Sequence, residues 1–246
     1  MSLVRVQSKT IKVFLCFVFL CVPFETFATT INLQVNTSLG DTGMASSNND
    51  VGRNVTVSGI ISTGGHFVPG SHVSNDERTY AARFTSVTIP QGATISSATF
   101  TLTPFSTYTT GGTIKFHVST QASDNAGVLT GSNGDLNITA RPRSTADAGP
   151  WTQNSVTVNV EQSLNVTNII QEIINRAGWV SGNAIVILVD THADSSIGEW
   201  QEYNSYDDST TKAPKLDITY TTASEPPPKV KFRGTVRIRG GNIRFR

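Results

Sequence analysis

The residues best suited to chemistry lie late in the chain. The stretch "EWQEYNSYDD" (199–208) brings Trp200, Tyr203 and Tyr206 together with Glu202, Asn204 and two adjacent acids, Asp207 and Asp208. Flat rings suit the apolar faces of sugars, and nearby amides and carboxylates can bond sugar hydroxyls. Trp200, Glu202, Tyr203, Asn204 and Tyr206 are therefore the candidate ligand-binding residues. A spacing of three does not keep to one face of a strand, so at least one ring is expected to point inward. Asp207 and Asp208 are candidates for a structural Ca2+ held through loop oxygens. No other cofactor or metal is expected.

A second cluster, "VDTHAD", offers Asp190, His192 and Asp194. On a continuing strand these would share a face and could bind a metal or exchange protons. The apolar run "AIVILVD" reads instead as a strand ending at Asp190, followed by a polar loop. The sequence contains no HExxH, no GxSxG, no phosphate loop and no Cys/His cluster. A glycosidase needs two carboxylates facing across a cleft, and nothing in the spacing singles out a pair. The protein is expected not to be an enzyme, with no catalytic residues.

These residues must be carried by strands. "TYAARFTSVTI", "ATISSATFTLTPF", "TIKFHVST", "AIVILVD" and "KLDITY" are rich in Val, Ile, Thr and aromatics, many alternating with period two. Clusters of Gly, Asn, Asp and Ser separate them. The expected fold is all-β, a single β-sandwich or jelly roll. One segment differs. In "NVTNIIQEIINRAGW", Val166, Ile169, Ile170, Ile173 and Ile174 recur at helical spacing. This predicts one short amphipathic helix with its Ile stripe on the sandwich, capped by Asn165 or Thr167 and stopped by Gly178. Trp151 and Trp179 are expected to plug the ends of the sandwich.

The two ends of the chain read differently from the body. Arg5, Lys9 and Lys12 precede the apolar run "VFLCFVFLCVPF", with small residues near Ala28. That order predicts a signal peptide, residues 1–28, cleaved after Ala28. The run falls short of the roughly 20 residues a membrane span needs. Both cysteines, Cys16 and Cys21, lie in this leader, so no disulfide is expected beyond it. The body, residues 30–222, is followed by a Pro-rich linker (223–229) and a basic C-terminal segment (230–246). From Thr30 to Pro228 there are nine Lys and Arg against seventeen Asp and Glu, a net charge of −8, whereas from Lys229 onward there are seven Lys and Arg and no acid.

That last segment, "VKFRGTVRIRGGNIRFR", alternates apolar and basic residues and predicts a β-hairpin. With Gly240-Gly241 as the turn, Ile238 pairs with Ile243 and Arg237 with Arg244. With Gly241-Asn242 as the turn, Ile238 pairs with Phe245 and Arg239 with Arg244. Either choice collects arginines on one face and apolar residues on the other. Arg237, Ile238, Arg239, Arg244 and Phe245 are the candidate attachment residues.

"ARFTSVTIPQGATISSATFTLT" (Ala82 to Thr103) resembles the entry to DNRLRE-type, carbohydrate-binding-module-like jelly-roll domains, through Pro90, Gly92, Ala93, Ile95 and Ala98. The resemblance continues through the helical segment and the closing strand with Pro214 and Leu216, and covers roughly Leu33 to Thr222. The "DNRLRE" string itself is absent, so the chain resembles a divergent branch seen on exported bacterial and bacteriophage proteins. The resemblance implies a non-catalytic module of surface, adhesive or polysaccharide-associated proteins. The expected function is a secreted, extracellular or cell-surface module that binds polysaccharide or cell-surface glycan, with a basic attachment tail. The alternative is a structural or assembly protein of a phage particle or surface structure, self-associating or joining a protein partner through the hairpin. Export argues against intracellular nucleic acid as a partner, and processing leaves no stable membrane span.

Overall fold

The computed structural model describes residues 27–37, 41–46, 78–108, 111–129, 138, 141–154, 156–196, 200–206, 208–222, 237–239 and 242–244. Residues 1–26 of the expected leader lie outside them, as do Asp207 and Phe245, whereas Ala28 begins the first strand. Two antiparallel sheets face each other. The first contains β1 (Ala28–Gln34), β11 (Lys215–Thr221), β4 (Thr94–Leu102) and β8 (Gln162–Asn165), in that order across the sheet. The second contains β2 (Asp41–Ser46), β3 (Arg78–Phe84), β9 (Ile185–Thr191), β6 (Lys115–Thr120) and β7 (Trp151–Thr152), in that order. A small third sheet pairs β10 (Trp200–Tyr203) with β5 (Pro104–Tyr108), and β12 (Arg237–Arg239) pairs with β13 (Asn242–Arg244). The fold is a single all-β sandwich with one short helix and a C-terminal hairpin.

The core follows from alternation. On β4, Ala98, Phe100 and Leu102 turn inward, joined by Ile95 across a register shift opposite Thr219 and Tyr220, and on β11 Leu216, Ile218 and Tyr220 do. Phe84 of the second sheet meets Phe100 of the first edge to face, 6.3 Å between centroids. Trp151 closes on Phe100 and Phe116 at the same separation. Trp179 is 2% exposed and donates its Nε1–H to the carbonyl of Ile89.

β9 is buried on both faces, which is why "AIVILVD" reads as an unbroken apolar run. Ile185, Ile187 and Val189 enter the main core. Val186 and Leu188 form a second cluster with Ala81, Ala126, Leu129 and Ile138, on the opposite face of the same sheet. Two arginines tie down the covering segment. Arg83 Nε donates to the carbonyl of Ala126 at 2.9 Å, and Arg141 donates to the carbonyls of Gly127 and Val128 and to Gln121 Oε1. Burial lowers both guanidinium pKa values, and for Arg141 the nearby charge of Arg83 adds to it.

The helix α1 spans Thr167–Ile174 and buries Ile169, Ile170, Ile173 and Ile174. Each buried Ile contributes about 1.5–3 kcal/mol. That outweighs a helix propensity deficit of at most about 0.7 kcal/mol per residue. Two boundary expectations are corrected. The N-cap is Val166 and carries no side-chain cap bond; the Asn165 carboxamide accepts from Thr167 N–H instead. The helix ends at Asn175, before Gly178. Gly178 is glycine for a different reason: a Cβ there would lie 2.1 Å from Asp124 Oδ2. The helix also serves as a continuation of the sheet. Where β8 stops, Thr167 Oγ1 and Gln171 Oε1 accept from the Ala98 and Ile95 N–H groups, and Gln171 Nε2 donates to the carbonyl of Ala93.

Candidate functional site

The expected binding platform is built on β10, and its placement departs from the expectation. β10 pairs with β5 through Trp200↔Tyr108, Gln201↔Thr107 and Glu202↔Ser106, then shifts register before Tyr203. The stretch is enclosed on both faces, with Gln201 to Ser205 buried in succession on either side of the shift. Glu202 is 3% exposed, Tyr203 2% and Asn204 4%. The surface site expected at Glu202, Tyr203 and Asn204 is therefore corrected: these residues are interior.

Tyr203 is held from two sides. Its ring meets Phe116 edge to face, and its hydroxyl donates to Gln153 Oε1 at 2.9 Å. Burial pushes the phenol pKa well above its ordinary value. Asn204 bonds the carbonyl of Thr103 through both its backbone N–H (2.8 Å) and its Nδ2 (3.0 Å), which continues the β5 pairing past the bulge. Tyr206 is half-buried and packs on the main core. Trp200 stands opposite Tyr108 in the register, and its side chain lies outside the described residues. The inward ring that the spacing required is thus Tyr203.

Asp208 works within its own turn. Its Oδ2 accepts from Ser205 N–H at 3.0 Å and from Ser205 Oγ at 2.8 Å. Its expected companion for Ca2+, Asp207, lies outside the described residues. Among the described residues, no group of three or more His, Cys, Asp or Glu is placed to hold a metal ion.

Of the "VDTHAD" residues, Asp190 is drawn to a separate partner, whereas His192 and Asp194 stay together, 3.7 Å apart. β9 runs one residue beyond Asp190, to Thr191. Asp190 takes two hydrogen bonds from the guanidinium of Arg143, at 2.8 and 3.2 Å. Asp194 pairs with Lys115 at 3.1 Å. That bond and charge, with a smaller contribution from His192, lower the Asp194 carboxyl pKa. His192 stacks on His117 with centroids 4.5 Å apart, and His117 Nδ1 bonds Asp147 Oδ2. His192 Nδ1 accepts from the Asp194 N–H at 3.0 Å. Of this ionisable group of Lys115, His117, Asp147, His192 and Asp194, the sequence pointed only to His192 and Asp194. It is assembled from strand β6 and two loops, one before β7 and one after β9, so no local motif holds the whole of it.

The hairpin takes the first of the two registers considered. Ile238 lies opposite Ile243, Arg237 opposite Arg244 and Arg239 opposite Asn242. Alternation then sets Arg237, Arg239 and Arg244 on one face and Ile238 and Ile243 on the other. The chain leaves the body at Thr221, which is paired with Ala28 and Thr94. β10 lies at the opposite end, beside Thr103 and Gln153.

No helix among the described residues is long and apolar enough to cross a membrane. No family model matches the chain, and no curated protein matches it. Among solved structures, the chain is similar to one in the cryo-EM structure of Mud crab tombus-like virus. The two share 11% identity with a TM-score of 0.28, over 92% of this chain and 96% of that one. A likeness of that size carries no argument about function.

Proposed function

We propose that this protein is a non-catalytic structural module that assembles with its own kind. Its basic C-terminal hairpin would join the acidic body of a neighbouring copy. The observation that carries this reading is the hairpin register, which collects three arginines on one face and Ile238 and Ile243 on the other. A lone two-stranded hairpin is marginal in water, and opposed arginines weaken it further. It gains stability from an apolar surface on one side and negative charge on the other. A body of net charge −7 (nine Lys and Arg against sixteen Asp and Glu over residues 30–222) against a tail with seven Lys and Arg and no acid supplies that complementarity within one sequence. The linker "SEPPP" favours an extended spacer, which suits a segment that reaches another molecule.

The carbohydrate-binding reading rests on the family resemblance and loses Glu202, Tyr203 and Asn204, which are enclosed. The test is concentration-dependent assembly of the exported protein, followed by light scattering. Deleting Lys229–Arg246 should abolish the tail-dependent species. Assembly that is unchanged by the deletion would overturn the proposal.

A further inference from the structure

Each of the two large sheets ends in two edge strands, and three of these four edges are guarded. β7 is two residues long and follows Pro150. β8 has four residues and is succeeded by α1. β2 shifts register between Gly43 and Ser46. Shortness, proline and irregular register all keep an edge from accepting another strand. β1 has none of these features. Its seven residues hold unbroken register with β11 and include no proline and no charge. Among the described residues, no strand pairs with its outer side.

The direction of its backbone groups follows from one bond. Val35 N–H donates to the carbonyl of Pro214 at 3.0 Å, immediately beyond the Gln34↔Lys215 pair. By alternation, Leu33 and Ile31 also bond toward β11, whereas Thr30, Asn32 and Gln34 direct their N–H and C=O groups to the open side. The Thr30 and Thr219 hydroxyls, 2.9 Å apart, agree with this, because side chains approach closest at a non-hydrogen-bonded pair.

We infer that β1 pairs with β1 of a second copy, antiparallel about a two-fold axis at Ile31. This register sets Thr30 opposite Asn32 of the other copy, Ala28 opposite Gln34, and Ile31 opposite its own counterpart. It overlaps all seven residues with the open backbone groups facing each other. The pairing brings no like charges together, which a charged edge could not achieve with itself. Ile31 and Leu33 are half-buried on the edge of the core, and the second copy covers their remaining flank. Cleavage after Ala28 leaves the central Thr30 and Asn32 pairs intact. The interface is independent of the hairpin and would stand without it.

The test is sedimentation velocity of the full exported protein with and without Asn32→Pro. The Asn32 N–H faces the open side, so its loss removes no bond within the sheet, and proline is tolerated on an edge. At high salt, where charge-driven association through the hairpin is screened, the parent should sediment as a dimer, and Asn32→Pro should halve that mass at an unchanged melting temperature. Should Asn32→Pro fail to fold, Ile31→Cys in a Cys16→Ser, Cys21→Ser background decides the matter. A non-hydrogen-bonded pair holds its Cα atoms about 4.5 Å apart, within the disulfide range of about 4.4–6.8 Å. Mild oxidation should therefore cross-link Ile31→Cys, and should leave Asn32→Cys, which faces Thr30, largely monomeric on a non-reducing gel. A monomeric parent, a folded Asn32→Pro protein of unchanged mass, or no cross-link at position 31 would each overturn the inference. Association through the hairpin would survive Asn32→Pro, so the two interfaces are told apart.

Discussion

The hydroxyl of Tyr203 donates to Oε1 of Gln153 at 2.9 Å, in the interior of the sandwich. A ring that the sequence offers for sugar stacking is used instead to tie β10 to the segment after β7. Tyr203→Phe should keep the fold and lose about 1–2 kcal/mol, because a buried acceptor loses its donor. With about 2–4 °C per kcal/mol for a domain of this size, calorimetry should show a fall of roughly 2–8 °C. No change would mean that the bond does not form.

Ile170→Asp should unfold the body or come close to it. Ile170 is fully buried on α1, and the substitution places an unpaired carboxylate there. Lost packing and uncompensated charge together cost about 4 kcal/mol or more, against a total stability of about 5–15 kcal/mol. Urea denaturation measures it. Parent-like stability would mean that the Ile stripe is not core.

Gly178→Ala should destabilise by about 1 kcal/mol, since the new Cβ falls 2.1 Å from Asp124 Oδ2 and the side chain must move. Moving it breaks the Arg176–Asp124 pair, which is 2.6 Å long and partly exposed. Adding Asp124→Ala should relieve most of the clash, so the double variant should be more stable than the sum of the singles. A double-mutant cycle that is strictly additive would contradict the contact.

Lys115→Met should raise the Asp194 carboxyl pKa toward the ordinary carboxylate range, because Lys115 supplies both the bond and most of the charge that depress it. The sign follows from the depression: the folded state holds Asp194 ionised, so its contribution is present above the unfolded pKa and fades as pH falls. Carboxyl NMR titration reads it directly. An unmoved titration would rule out Lys115 as the cause.

Much of the body was legible because periodicity is a local property. The double burial of β9 shows as an unbroken run of Ile, Val and Leu, and the helix shows as four Ile at helical spacing. The candidate site was not legible for the opposite reason. A register shift after Glu202 decides which way Tyr203 faces, and nothing in "EWQEYNSY" encodes it. The His117–His192 stack depends on residues 75 positions apart becoming neighbours, and the role of Gly178 depends on Asp124, which is distant in sequence. The hairpin lies between these cases. Alternation gave two registers, and the pairing of Ile238 with Ile243 selects one.

The most direct measurement on the hairpin is sedimentation velocity of the full chain at low and high salt, comparing the parent with two variants. In the first, Arg237, Arg239 and Arg244 are all changed to Gln. In the second, Ile238, Ile243 and Phe245 are changed to Ser. Surface attraction is screened over about 10 Å at 0.1 M salt. The parent should therefore form species larger than a dimer at low salt and lose them as salt rises. The Gln variant should lack those species at low salt and show little further salt dependence. The Ser variant should lack them at every salt concentration, because the apolar face that holds the hairpin flat is gone. If both variants assemble as the parent does, the hairpin is not the joint.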